Sequence, residues 1–262
     1  MPEIVVNGVR LYYEERGEGA AILCIHGAGS SAQLWADAAE TLASSGRAIA
    51  YDRRGYGRSE RPGPCERMDV AEHADDAAAL LDALGAAPAV VIARSYGGEV
   101  ATDLALRYPD RVRALALLEA APVELLPAAA DSTRALRDRL REVAAEAGVQ
   151  AVGEALIGEV AGDGAWDSLP GEVRRIFTEN GPAALADLEG EWLNVDAAAL
   201  AAIELPVLLV AATDSPPEFR EPNEVMARAL PDARTVQVGG GHLIDPADPV
   251  VLSFVEEVLE AG

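Results

Sequence analysis

"VVIARSYGGEVA", residues 90–101, changes character in the middle, and that change decides how the rest of the chain is read. Val90, Val91 and Ile92 form a β-branched run suited to a buried strand, whereas Glu99 to Leu106 fits a helix. Between them Ser95 stands at a turn too tight for bulky neighbours, and Ala93 and Gly97, two positions to either side, are both small. A strand, a sharp turn and a helix together lift a serine oxygen above the end of a sheet and point a helix N-terminus at it. Free N–H groups at that helix end can hold an oxyanion. A serine in a turn is also the blandest of residues, so its surroundings must decide.

Strand and helix alternate on both sides of this stretch. Residues 3–15 form a hairpin about Asn7-Gly8, "AAILCI" (20–25) and "RAIAYD" (47–52) are short apolar strands, and 32–43 and 68–84 have helical spacing. "AVVIA" (89–93) and "VRALALLE" (112–119) bracket a helix over 96–107, which Pro109 ends. From Val207 the rhythm resumes with strand "PVLLVAA", a helix over 223–229, strand "ARTVQVG", the loop "GGHLID" and a last helix from Pro249. Such alternation predicts an α/β protein: a mostly parallel eight-stranded sheet with helices on both faces, opened by an antiparallel hairpin. Residues 122–203 contain no convincing strand. Their amphipathic run begins at an Asp131/Ser132 cap, with apolar residues at 136, 140, 143 and 147, and they hold two of the three tryptophans, Trp166 and Trp192. We expect a core of 1–121 and 204–262, with 122–203 inserted as a helical lid.

The formal net charge is −23, and all 21 basic residues are arginine. So acidic a chain repels phosphate backbones and argues against a nucleic-acid partner. Its apolar runs are too short to cross a bilayer, and "MPEIVVNGVR" lacks the pattern of a secretion signal, so a cytoplasmic protein without a membrane partner is expected. Cys24 and Cys65 offer no metal-ligand spacing and are expected to be free thiols. No metal or organic cofactor is implied, and the oligomeric state is not legible.

A serine hydroxyl needs a base to take its proton. Of three histidines, His73 in "AEHADD" is expected at the surface, and His26 follows a strand in "HGAG", whose backbone can supply an oxyanion donor. His242 lies in the flexible loop "GGGHLIDPADP" after the final strand, from which it can reach over the sheet toward Ser95. The imidazole then needs a carboxylate to fix its tautomer. Asp214 ends "PVLLVAATD" in the order Ser, Asp, His; Glu119, ending "ALALLEAAP", occupies the alternative place one strand earlier.

Together these motifs resemble the α/β-hydrolase superfamily, in its serine esterase and lactonase branch, over essentially the whole chain. "HGAGSSAQLW" resembles the oxyanion loop, "YDRRGYGRS" the Asp-x-Arg-Gly-x-Gly-x-Ser signature, "ARSYGG" the nucleophile elbow, "AATDSPP" the acid turn and "GGGHLIDPADP" the histidine loop. The resemblance implies Ser95 as nucleophile, His242 as base, Asp214 as acid, and the N–H groups of Ala28 and Tyr96 as the oxyanion hole. Two positions depart from the pattern: Ala93 replaces the first glycine of G-x-S-x-G, and Arg94 stands where an uncharged residue is common. An arginine beside a buried turn demands a partner, and an Arg94–Glu119 ion pair is expected, with contact to an anionic part of the substrate as the other reading. His26, Trp166 and Trp192 are further possible substrate contacts.

Serine at the elbow argues against the haloalkane dehalogenases and related epoxide hydrolases, which carry aspartate there. The expected reaction is hydrolysis of a small carboxylic ester or lactone through an acyl-enzyme at Ser95. Cofactor-free perhydrolase chemistry and C–C bond hydrolysis fit the same residues. A binding protein that keeps the pocket for a small ligand without turnover is the non-enzymatic reading.

Overall fold

The computed structural model describes residues 2–63, 66–120 and 122–261, so Cys65 lies outside the described residues. Eight strands form one sheet: β1 (Glu3–Val6), β2 (Val9–Arg16), β3 (Ala21–Ile25), β4 (Arg47–Tyr51), β5 (Ala89–Arg94), β6 (Val112–Leu118), β7 (Val207–Ala212) and β8 (Ala233–Val238). Their spatial order is β1-β2-β4-β3-β5-β6-β7-β8. The hairpin β1–β2 and the β2–β4 pair are antiparallel, and every later pairing is parallel. Asn7 and Gly8, both at positive φ, make the hairpin turn.

Strand alternation divides the core into two layers. Leu23, Ile25, Ile49, Val91, Leu115 and Leu209 face one side, where they meet α2 (Val70–Ala83), α3 (Tyr96–Arg107) and, through Met226, a later helix. Ile22, Cys24, Ala48, Ile92, Ala116 and Leu208 face the other, against α1 (Ala36–Leu42), Trp35 and the C-terminal residues Val251, Phe254 and Val255. Strands covered on both faces read as continuous apolar runs, which is why the central strands show no polar alternation. Cys24 is a buried free thiol whose pKa burial pushes up to about 12.

Between β6 and β7 the chain is helical: α4 (Pro127–Ala147), α5 (Val152–Ala161), α6 (Ala165–Ser168), α7 (Gly171–Glu179), α8 (Gly181–Glu189) and α9 (Ala197–Leu200). Then α10 (Pro217–Ala229) follows β7 and α11 (Pro249–Glu260) closes the chain. The helical segment has its own small apolar cluster, with Leu140, Val152, Leu156, Ala184 and Leu188 buried together. Two helix starts differ from expectation. Helix α4 begins at Pro127 rather than at the Asp131/Ser132 cap, and α10 begins at Pro217 and carries Pro222 inside it. In both, a proline supplies the first turn, where its missing N–H would have had no partner anyway. Among the described residues no helix is long and apolar enough to cross a membrane.

Candidate active site

Ser95 joins β5 to α3 at φ 54° and ψ −131°, a conformation that L-residues rarely adopt. The turn can be this sharp because the second and third residues after Ser95, Gly97 and Gly98, carry no side chain. A Cβ on Gly97 would fall 2.5 Å from the Ile25 carbonyl oxygen, and one on Gly98 would fall 2.1 Å from Ala120. Tyr96 is the first helical residue, so its N–H has no intrahelical acceptor. The loop after β3 comes as close, since a Cβ on Gly27 would lie 3.1 Å from that of Ser95. Ala28 and Tyr96 line one cavity with Ser95, and Ala28 also lines a second with Ser95 and His242. The two expected oxyanion donors thus stand beside the serine.

The carboxylate that meets His242 is Glu119. Its Oε2 accepts from His242 Nδ1 at 2.8 Å and from the Ser215 hydroxyl at 2.7 Å, and its Oε1 accepts from the Ala212 N–H at 2.7 Å. Both His242 and Glu119 are buried. Register explains the placement. Strands β5 and β6 are neighbours with Arg94 opposite Leu118, so the next residue of each strand, Ser95 and Glu119, leaves the sheet side by side. Glu119, like Ser95, has a positive φ, 45°, at its turn. Nδ1–H donation to Glu119 leaves Nε2 as the unprotonated nitrogen, and that atom is buried with no hydrogen-bond partner among the described residues.

Asp214 therefore does not occupy the place expected of it. Its side chain is exposed and, among the described residues, accepts only from the Thr213 hydroxyl, at 3.1 Å. Its backbone N–H donates to the Gly240 carbonyl at 2.9 Å, which fastens the loop carrying His242 to the end of β7. The Arg94–Glu119 ion pair is also absent, because Glu119 already has three donors. Arg94 donates instead to the Ile244 carbonyl at 3.1 Å and lies over the Trp35 ring, its charge centre 5.8 Å away. Burial lowers its pKa to about 10, and Asp245 is the acid that opposes this. It lines the smaller cavity with Ser95 and His242.

Two histidines lie where sequence reasoning did not put them. His73 is buried, not at the surface. Its Nε2 lies 2.9 Å from both Asp187 Oδ1 and Arg53 Nη1, and burial together with Arg53 lowers its pKa. His26 does not reach the cavity. Its Nδ1 donates to the Gly27 carbonyl at 2.8 Å and its Nε2 accepts from the Arg53 N–H at 3.1 Å. Arg53, fully buried, ties these groups together. It donates to the carbonyl oxygens of His26 and Gly27, at 3.1 and 3.4 Å, and pairs with Asp187 of α8 at 2.8 Å. Burial tends to raise the Asp187 pKa, but Arg53 and His73 outweigh it and hold the carboxyl at about 2. The loop after β3 and the helical segment thus share one arginine.

Above Ser95 a cavity of about 60 Å³ is walled by Leu136, Leu156, Val160, Leu188, Trp192 and Phe219. Phe219 also lies against the His242 ring, centroid to centroid 4.0 Å. Trp192 meets the Tyr96 ring edge-on at 5.1 Å, whereas Trp166 is half-buried on α6 and is not part of either cavity wall beside Ser95. Sequence reasoning also missed three polar residues of this wall, Thr133, Glu218 and Glu99, of which Glu99 is buried in the first turn of α3.

A family model described as alpha/beta hydrolase fold matches residues 20–244. The 2-hydroxymuconate semialdehyde hydrolase of Pseudomonas sp. (strain CF600) is 39% identical over 125 residues, 46% of this chain and 44% of that protein. The matched stretch spans less than half the length of such curated relatives. Among solved structures, a thermophilic esterase from Thermogutta terrifontis superposes with a TM-score of 0.77 at 27% identity, covering 100% of this chain and 99% of that one. An enzyme described as degrading N-acyl homoserine lactones superposes with a TM-score of 0.74 at 26% identity, covering 99% of both chains.

Proposed function

The chain belongs to the α/β-hydrolase family, and from that premise we propose that it is a serine hydrolase cleaving a small carboxylic ester or lactone, with Ser95 as nucleophile, His242 as base and Glu119 as acid. One observation carries the reading: a buried imidazole donates from Nδ1 to a buried carboxylate while its Nε2 is left without a partner on the cavity it shares with a strained serine. An imidazole oriented by a carboxylate and open at Nε2 is what a serine nucleophile requires of its base.

In this mechanism His242 Nε2 takes the Ser95 proton as Oγ attacks the carbonyl carbon. The carbonyl electron pair moves onto oxygen, where the Ala28 and Tyr96 N–H groups and the N-terminus of α3 hold it. Collapse of the tetrahedral species breaks the ester bond, and His242 gives its proton to the departing alkoxide. Water then repeats the sequence on the acyl-enzyme. The Glu119 side chain orients the imidazole and steadies the imidazolium. The helical segment 122–203 acts as the lid, and its apolar side chains keep bulk water from the acyl group. The esterase and the lactone-degrading enzyme among the structural neighbours support this chemistry.

The similarity to 2-hydroxymuconate semialdehyde hydrolase favours a second reading, C–C bond hydrolysis with the same residues. Hydrolysis of p-nitrophenyl acetate, butyrate and octanoate by the wild type and Ser95→Ala tests the first. Turnover that falls by roughly 10⁴-fold or more in the variant is expected. Equal residual rates in both proteins would remove Ser95 from the reaction and bring forward the reading of a ligand-binding protein.

A further inference from the structure

Glu99 is the acid that the reaction above does not use. It stands four residues after Ser95, one turn into α3, which places it about 6 Å farther along the helix axis. It is 2% exposed and lines the cavity above Ser95, whose remaining wall is largely aliphatic and aromatic. One carboxyl oxygen, Oε1, accepts from the Val123 N–H at 2.9 Å. The other, Oε2, has no hydrogen-bond partner among the described residues. The backbone N–H groups of Val123 and Leu193 favour its ionised form, and the nearby acids Glu124 and Asp103 oppose it. Burial pushes its pKa up to about 8, so it keeps its proton at neutral pH. With Oε1 accepting from Val123, the proton sits on Oε2. A buried O–H with nothing to donate to is costly, and a leucine at this position would close the wall without that cost.

We propose that Glu99 is a specificity residue whose Oε2–H donates to an acceptor oxygen carried by the substrate's acyl chain, so that the preferred substrates are oxo-substituted esters or lactones. The inference rests on the serine-hydrolase reading and narrows its substrate class. Ser95 fixes the carbonyl that is attacked, and Glu99, about 6 Å away along the helix, fixes a second oxygen some four or five bonds along the chain. In a wall that is largely aliphatic and aromatic, a directed donor helps set both the register and the orientation of the ligand.

The test compares p-nitrophenyl 4-oxopentanoate, 5-oxohexanoate and 6-oxoheptanoate with their unsubstituted counterparts, each rate normalised to alkaline hydrolysis. In the wild type at least one oxo ester is expected to exceed its counterpart about tenfold or more in kcat/KM, as one added hydrogen bond allows. Glu99→Gln, which keeps an N–H donor, retains most of that ratio, and Glu99→Met brings it close to one. A ratio is read within each protein, so a partly folded variant does not distort it. Ratios near one for all three wild-type pairs, or a ratio that survives in Glu99→Met, would overturn the proposal. Failure of the underlying reading looks different: neither ester of a pair turns over, or turnover persists in Ser95→Ala. In that case calorimetric binding of the corresponding methyl esters to Ser95→Ala supplies the same ratios without turnover, and equal affinities overturn the proposal.

Discussion

Glu119 and Asp214 differ by one methylene and by one strand, and that difference separates the carboxylate at His242 from one in solvent. Both positions end a parallel strand and both precede His242 in the chain, so sequence order favours neither. What decides between them is side-chain reach and the donors supplied by Ala212 and Ser215, neither of which a linear motif displays. Glu99 escaped notice for a related reason: helical spacing marks it as the polar start of α3, and only the fold reveals that the segment 122–203 covers it. Its titration has a consequence for stability. A carboxyl normally near 4.5 and raised to about 8 in the folded state binds a proton that the unfolded chain has already released. Folded stability therefore falls as pH rises from about 4.5 to about 8, the reverse of an ion-paired acid. We expect Glu99→Gln to stabilise the protein by roughly 3 kcal/mol at pH 7 and to change little at pH 4, as read by urea unfolding at the two values. Equal effects at both would show that Glu99 ionises freely in the fold.

At the scale of elements, the strands were the most legible part of the chain, because buried parallel strands are short apolar runs bounded by glycine and charge. Helix starts were less so. The Asp131-Ser132 pair has the chemistry of a cap, yet Pro127 begins α4 because the preceding turn leads directly into it. The junction of β5 and α3 depends most on fine fit. Gly98 touches the backbone of Ala120, next to Glu119, so Gly98→Ala forces the elbow and the acid's turn apart. A loss of about 1–3 kcal/mol in urea unfolding is expected, together with lower kcat at unchanged acyl-chain preference. A variant as stable and as active as the wild type would mean that α3 shifts freely against β6.

For the whole molecule, the sheet and its helical segment are joined by a buried charge cluster that the sequence displays only as scattered polar residues. His73 in "AEHADD" looks solvated, and its burial depends on Asp187, more than a hundred residues later. Asp187 is held at about 2 against an ordinary value of 3.8, so the stability it supplies is present above about pH 4 and is lost as pH falls through about 2. Asp187→Asn leaves Arg53 buried without its counter-charge, and a loss of about 3–5 kcal/mol at pH 7 is expected by urea unfolding. Because Arg53 also holds the His26 and Gly27 carbonyls, kcat should fall in molecules that remain folded. A silent substitution would separate the loop after β3 from the helical segment.

The most direct measurement of the catalytic assignment compares kcat/KM for p-nitrophenyl butyrate in Glu119→Gln and Asp214→Asn, two isosteric changes that each remove one negative charge. With Glu119 as the acid, the first falls by roughly 10²–10⁴-fold and the second stays within about threefold of the wild type. The opposite pattern, with Asp214→Asn inactive and Glu119→Gln active, would contradict the account.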